Sequence, residues 1–348
     1  MSYRVQDFSA LDGGQLESYA NGLQLSGYCD GMALGQEYSL LQSILVDGGT
    51  HFGVSTVSFD NYEELLWMGN QGGHMTSYST AELQKYTSFQ VHVNNEIREI
   101  VPHDAGILSL TSNSLRMSAR RGLPIFNHCS EQMQNMQCMV LTPDGTLLMG
   151  GHHRNLIELD LNIIQEINIV QVSGDNCAIL RKHPRFICSG DISGKVTFHD
   201  PNTLSVEHVI DCHTGMLSDF DVHGNQLVTC GFSSRHGELS VERFLKVYDL
   251  RVMKSMSPIP MMFPPLLLRF VPAYTSRLCA VSQTGQFQMV DTNNSDQYAL
   301  FIHQVETGAS DILTFDTSSS CQAFAFGDAA GYLHLYGASN EVQFYQFS

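Results

Sequence analysis

The sequence predicts an all-β fold, a single seven-bladed propeller whose ring is closed by an N-terminal strand, on three observations. The first is self-similarity: an apolar strand, a short turn that often holds Gly, and a second strand ending in a polar or small residue recur along the chain. Aligned on that last position, the copies end at Ser79, Ala119, Asp160, Asp200, Asp249, Asp291 and Gly337, with separations of 40, 41, 40, 49, 42 and 46 residues. The second is period-two alternation inside the copies, as in Lys195–Asp200 and Gln286–Asp291, with no long stretch of period 3.6. The third is the spacing, which suits a blade of about four short strands; such blades close a ring without leaving long free sheet edges.

The clearest copy is Phe186–Asp200, with others at Leu147–Asp160, Leu278–Asp291, Leu65–Ser79 and Ala323–Gly337. A ring of this kind needs a strand from the other end of the chain, and Tyr38–Val46 supplies one as the outer strand of the seventh blade. The expected organisation is therefore an extension over 1–37, on the surface or poorly ordered, a propeller over 38–340, and the start of a linker over 341–348. The extra length before Asp249 places an insertion, Ser233–Arg243, between two strands of the fifth blade. Loops carry function more often than the scaffold beneath them, so Arg235, His236, Glu238 and Glu242 are the candidates for partner contact.

Composition narrows the function classes. With 43% hydrophobic and 15% charged residues, the 348-residue chain can build a sizeable core. Thirty-five acidic against 18 basic residues give a net charge of -17, which repels phosphate backbones and disfavours direct nucleic-acid binding. Arg116, Arg120 and Arg121 form a local basic cluster, read as a solvated blade edge. The nine cysteines stand singly with no C-x-x-C pair and read as reduced, buried thiols of an intracellular protein. The most apolar stretch, Met261–Phe270, is too short to span a bilayer and holds Pro264 and Pro265, so neither a membrane segment nor a signal peptide is expected.

Blades of the WD40 type are stapled by a His before the first strand, a Ser or Thr on the second, an Asp in the turn and a Trp on the third. Here His213, Thr229 and Ser189 survive, while the Trp position holds Tyr78, Ser118, Leu159, His199, Tyr248, Val290 and Tyr336. The repeats are degenerate WD40 repeats, with Ser189, His213, Asp160, Asp200, Asp249 and Asp291 as blade-structural residues.

Motifs with catalytic overtones have plainer readings. Gly190, Gly194 and Lys195 make a turn, since the spacing is one residue short for a phosphate loop and joins strand to strand. Asp219 and Asp221 share a strand face as in two-metal nucleases, but no nearby run supplies further carboxylates, and a structural role beside the blade turn is expected. His152-His153 and Cys212-His213 lack partner pairs at zinc spacing. No catalytic, metal or cofactor-binding residue is assigned. Two other readings stay open: an enzyme working in the central channel, for which the sequence offers no obvious convergent set, and an adaptor for an unrelated protein or peptide.

The strings His223–Arg235, Arg243–Met253, Leu268–Leu278 and Phe326–Tyr336, with Glu63–His74 and Ser88–Val91, resemble the N-terminal propeller of the catalytic subunits of Pan poly(A) nucleases, over roughly Ser39–Ser348. The resemblance implies a non-catalytic scaffold of a poly(A)-specific mRNA deadenylase, a fragment of a longer enzyme. It implies a magnesium-dependent 3′–5′ exoribonuclease domain outside these residues and no cofactor within them. The partners it implies are a pseudokinase regulatory subunit and, through it, poly(A)-binding protein, in the cytoplasm and in P-bodies.

Overall fold

The computed structural model describes residues 2–4, 38–46, 52–172, 176–235, 237–272, 276–293, 301–339 and 342–345, and among them every regular element is a β-strand. The strands form seven antiparallel sheets, one per blade. Blade 1 comprises Val54–Phe59, Leu65–Asn70, His74–Ser79 and Gln84–Gln90; blade 2, Glu99–His103, Gly106–Leu110, Leu115–Ser118 and Pro124–His128. Blade 3 comprises Met136–Leu141, Leu147–Gly151, Asn155–Asp160 and Gln165–Gln171; blade 4, Ile179–Lys182, Ile187–Gly190, Lys195–His199 and Val206–Asp211. Blade 5 is built on Leu217–His223, Gln226–Arg235, Phe244–Asp249 and Lys254–Ser255, with the short strands Glu238–Val241 and Ile259–Pro260 beside them. Blade 6 holds Leu267–Phe270, Arg277–Val281, Gln286–Asp291 and Phe301–Gln304, and Ser2–Arg4 adds a further strand at its outer edge.

Blade 7 closes the ring. Ile312–Thr317, Ala323–Asp328 and Tyr332–Gly337 come from the C-terminal part of the chain, and the outer strand is Ser39–Leu45, in antiparallel register from Ser39↔Gly337 to Leu45↔Tyr332. This is the closure expected from the sequence. The aligned repeat ends mark the third strand of each blade, and the strands at Ser79, Asp160, Asp249, Asp291 and Gly337 finish on the aligned residue itself.

There is no single core. Seven apolar clusters among the described residues each fill the space between two neighbouring blades. Middle strands are covered on both faces, which is why Leu65–Asn70 and Ala323–Asp328 are buried along their whole length. The outer strands face solvent, and Gln165–Gln171 and Val206–Asp211 carry mostly exposed residues. Most of the 1–37 extension lies outside the described residues, as does Cys29. Of the other cysteines, seven are buried free thiols, whereas Cys129 is exposed, because it comes just after the outer strand of blade 2 and not an inner one.

Of the segment expected to begin a linker, 341–348, the described residues 342–345 lie on the propeller. Val342 and Phe344 are buried in the cluster between blades 7 and 1, and the Phe344 ring meets Phe59 edge-on at 5.2 Å.

Candidate functional site

The first strands of the blades succeed one another around the axis and enclose a cavity of about 400 Å³. Each such strand is an edge strand, so its outward N–H groups need partners from outside the blade. Carboxylates of one blade supply them to the next. Glu99 of blade 2 accepts the Met139 N–H of blade 3 (2.5 Å), and Asp316 of blade 7 accepts the Phe59 N–H of blade 1 (2.9 Å). From blade 5 to blade 6, Asp219 accepts the N–H of Leu268 (3.1 Å) and Asp221 that of Phe270 (2.7 Å). Ser55 and Ser218 do the reverse, donating their hydroxyls to the carbonyls of Ile97 and Leu266, both at 2.7 Å.

Asp219 is the hub of this layer. Its Oδ1 pairs with Arg181 Nη2 of blade 4 at 3.0 Å and its Oδ2 with Arg269 Nη1 of blade 6 at 2.7 Å. One carboxylate thus ties three consecutive blades through charge-assisted bonds. Burial pushes Glu99 up to about 7, against the pull of Arg181 and the Met139 amide, and raises Asp221 and Asp316 as well.

The channel therefore does gather a convergent ionisable set, which the sequence did not reveal. Its chemistry is that of a fastening: the lining carboxylates Glu99, Asp219 and Asp316, like Asp221 beside them, each accept a backbone N–H from the next blade, and Asp219 is paired twice. Asp219 lines the channel wall, and Asp221, two residues further along the same strand, is bonded to the Phe270 N–H of blade 6; both join blade 5 to blade 6, where the sequence suggested a structural role beside the blade turn.

The WD40-type staples are present where the sequence keeps their pieces. His213 is bonded through Nε2 to Thr229 Oγ1 (2.9 Å) and through Nδ1 to Glu242 (2.7 Å), and Lys246 Nζ lies 3.2 Å from the same carboxylate. Burial lowers the His213 pKa, as does the charge of Lys246, so the ring is held neutral more readily than a free imidazole. In blade 4, Ser189 Oγ meets His199 Nε2 at 2.9 Å, with the imidazole standing where a Trp would. Asp160, Asp200, Asp249 and Asp291 share one role: each Oδ1 accepts the N–H two residues on, at 2.8 to 2.9 Å, and so caps the turn after the third strand.

The other sequence motifs resolve into ordinary structural contacts. Asp191 Oδ1 accepts the N–H groups of Ser193 and Lys195, and Gly194 sits at φ +89°, where a Cβ would lie 2.4 Å from the carbonyls of His213 and Gly215; the stretch is a turn. His153 Nδ1 accepts the Asn155 N–H (3.1 Å), and no group of three potential metal ligands occurs among the described residues. Arg120 is not solvated: it binds the fully buried Asp60 through Nε (2.8 Å) and Nη2 (2.9 Å), and Asp60 also accepts the Trp67 Nε1–H (3.1 Å). Arg116 donates to the Val91 carbonyl (3.0 Å), so the basic cluster is dispersed into separate contacts.

The insertion is a hairpin that prolongs blade 5, with Phe232–Arg235 paired to Glu238–Val241. Glu238 and Leu239 are exposed on it. Arg235 ends the first strand, and His236 lies outside the described residues. Glu242 faces inward, buried against His213, and so belongs to the blade staple.

A family model described as PAN2 N-terminal matches residues 34–337, nearly the whole described propeller. The chain belongs to this family. It is 45% identical over 311 residues to the PAN2-PAN3 deadenylation complex catalytic subunit PAN2 of Gallus gallus, and 44% identical over 311 residues to that of Homo sapiens. Each match covers 89% of this chain and 26% of the relative, so the chain spans about a quarter of the length of these curated relatives. The structure of the Neurospora crassa Pan2 WD40 domain superposes with a TM-score of 0.81 at 27% identity, covering 90% of this chain and 99% of that one.

The relatives are named as catalytic subunits, and this chain corresponds to their N-terminal propeller. The residues that sequence reasoning missed are Glu99, Arg181, Arg269 and Asp316, each on the first strand of its blade and all lining the cavity; the signal that could have found them is a charged residue on the first strand of a repeat.

Proposed function

We propose that this propeller is a non-catalytic interaction platform of a poly(A)-shortening nuclease subunit, helping to position the nuclease part of the longer protein relative to a PAN3-type regulatory subunit. The observation that carries the reading is the family match over the propeller, together with relatives named for the PAN2-PAN3 deadenylation complex. The channel is in keeping with it, since its carboxylates accept backbone N–H groups that join one blade to the next. Magnesium-dependent hydrolysis belongs, in this reading, to a part of the longer protein outside these residues. The regulatory subunit, a pseudokinase by the resemblance, brings the platform to poly(A)-binding protein on messenger ribonucleoprotein in the cytoplasm, P-bodies included. The chain's own contact with the RNA is weak, in keeping with a net charge of -17.

Incubating this chain with magnesium and a 3′-polyadenylated RNA tests the non-catalytic part. The tail is expected to keep its length over hours, and progressive shortening by the pure chain overturns the proposal.

A further inference from the structure

Four residues, Val342–Tyr345, lie across the seam between blades 7 and 1, seated between the first turns of those two blades. From blade 1, Glu64 offers both carboxylate oxygens: Oε1 accepts the Phe344 N–H and Oε2 the Tyr345 N–H at 2.8 Å. From blade 7, Ser319 Oγ donates to the Phe344 carbonyl at 3.3 Å, Ser320 Oγ donates to the Gln343 carbonyl, and Gln322 Oε1 accepts the Gln343 N–H at 2.9 Å. The side chains alternate, with Val342 and Phe344 turned into the apolar cluster and Gln343 exposed. Phe344 is fully buried and meets Phe59, whose own N–H is held by Asp316 of blade 7.

A carboxylate that takes two consecutive N–H groups recognises backbone shape, and a closed aromatic pocket recognises Phe344; together they fix both position and heading of the segment. We propose that this seam is a second latch of the ring, separate from the outer strand Ser39–Leu45, and that Glu64 is its positioning residue, fixing the heading of the chain at Phe344 and Tyr345. The latch itself stands on the contacts above. Its consequence rests on the proposed platform function: in a longer protein, such as the relative of which this chain matches 26%, a fixed exit lets the propeller act as a rigid arm for the downstream domains, where a loose exit would leave it tethered.

Hydrogen exchange read by mass spectrometry on the 348-residue chain tests the latch without reference to any partner. In the parent chain the amides of Phe344 and Tyr345 are expected to be protected. Glu64→Gln turns one acceptor into a donor that faces an N–H, and should speed exchange in 342–345 by roughly tenfold or more while leaving Leu65–Asn70 protected. Phe344→Ala should do the same with Glu64 intact. Fast exchange of these two amides in the parent chain, or protection unchanged in both variants, overturns the latch. A chain that shows the exchange pattern yet binds no PAN3-type subunit refutes the platform reading and leaves the latch standing.

Discussion

Asp316, on the first strand of blade 7, accepts the backbone N–H of Phe59, on the first strand of blade 1, at 2.9 Å across 257 residues of sequence. It is the inner counterpart of the outer closure by Ser39–Leu45. Removing it orphans a buried N–H at the seam, so Asp316→Ala is expected to cost about 1–3 kcal/mol in urea unfolding. An unchanged midpoint would show that this bond adds nothing to the other contacts that hold the seam.

Asp219 should matter more. Asp219→Ala leaves the Arg181 and Arg269 guanidinium groups facing each other without the carboxylate that pairs both, and leaves the Leu268 N–H without its acceptor. Breaking a buried pair from one side typically costs about 3–5 kcal/mol, and the loss here is expected near that range. The companion Arg269→Met, which removes one cation and leaves Asp219 paired to Arg181, should cost clearly less; equal losses would contradict the hub role of Asp219.

Stability should depend on pH through Glu99. Its folded pKa, pushed up to about 7 by burial, exceeds the ordinary value of 4.5, so the folded chain holds this proton more tightly than the unfolded one. The group's favourable contribution is full below 4.5 and is lost as pH rises to about 7. Glu99→Gln keeps an acceptor for Met139 and has no charge to bury. The variant should be more stable than the parent by about 1–3 kcal/mol at pH 8 and indistinguishable from it near pH 4.5. Denaturant midpoints at the two pH values decide this, and a gap of the opposite sign at pH 8 refutes it.

The fifth-blade insertion can be trimmed only up to a point. Replacing Ser234–Ser240 by a short Gly-Ser turn touches the exposed hairpin and should leave stability within about 0.5 kcal/mol. Extending the deletion through Glu242 removes the carboxylate bonded to buried His213 and should lower the melting temperature, as should His213→Ala. Partner affinity lost in the first variant, with melting intact, is the signature expected of a contact loop; melting lost in both would assign the hairpin to the fold.

The layout of the fold was legible because the propeller repeats its turn chemistry. Asp160, Asp200, Asp249 and Asp291 recur for one reason, to cap the turn after a third strand, and that recurrence sets the blade spacing in plain view. His213 and Thr229 were legible as a staple, but their third member was not: Glu242 lies 29 residues beyond His213, inside a stretch that reads as a surface loop. The channel layer was hidden for a related reason. Glu99, Arg181, Arg269 and Asp316 come from four blades, far apart in the sequence, and only closure of the ring brings them together. Phe344 was equally hidden, since its pocket is built from Phe59 and Glu64 at the opposite end of the chain.

The most direct test of the platform account is a calorimetric titration of this 348-residue chain with a PAN3-type regulatory subunit. The account predicts saturable binding at fixed stoichiometry by the propeller itself, weakened when Ser234–Ser240 is replaced. Absence of binding at concentrations where the longer catalytic subunit is saturated would contradict it, and would place the docking function outside the propeller.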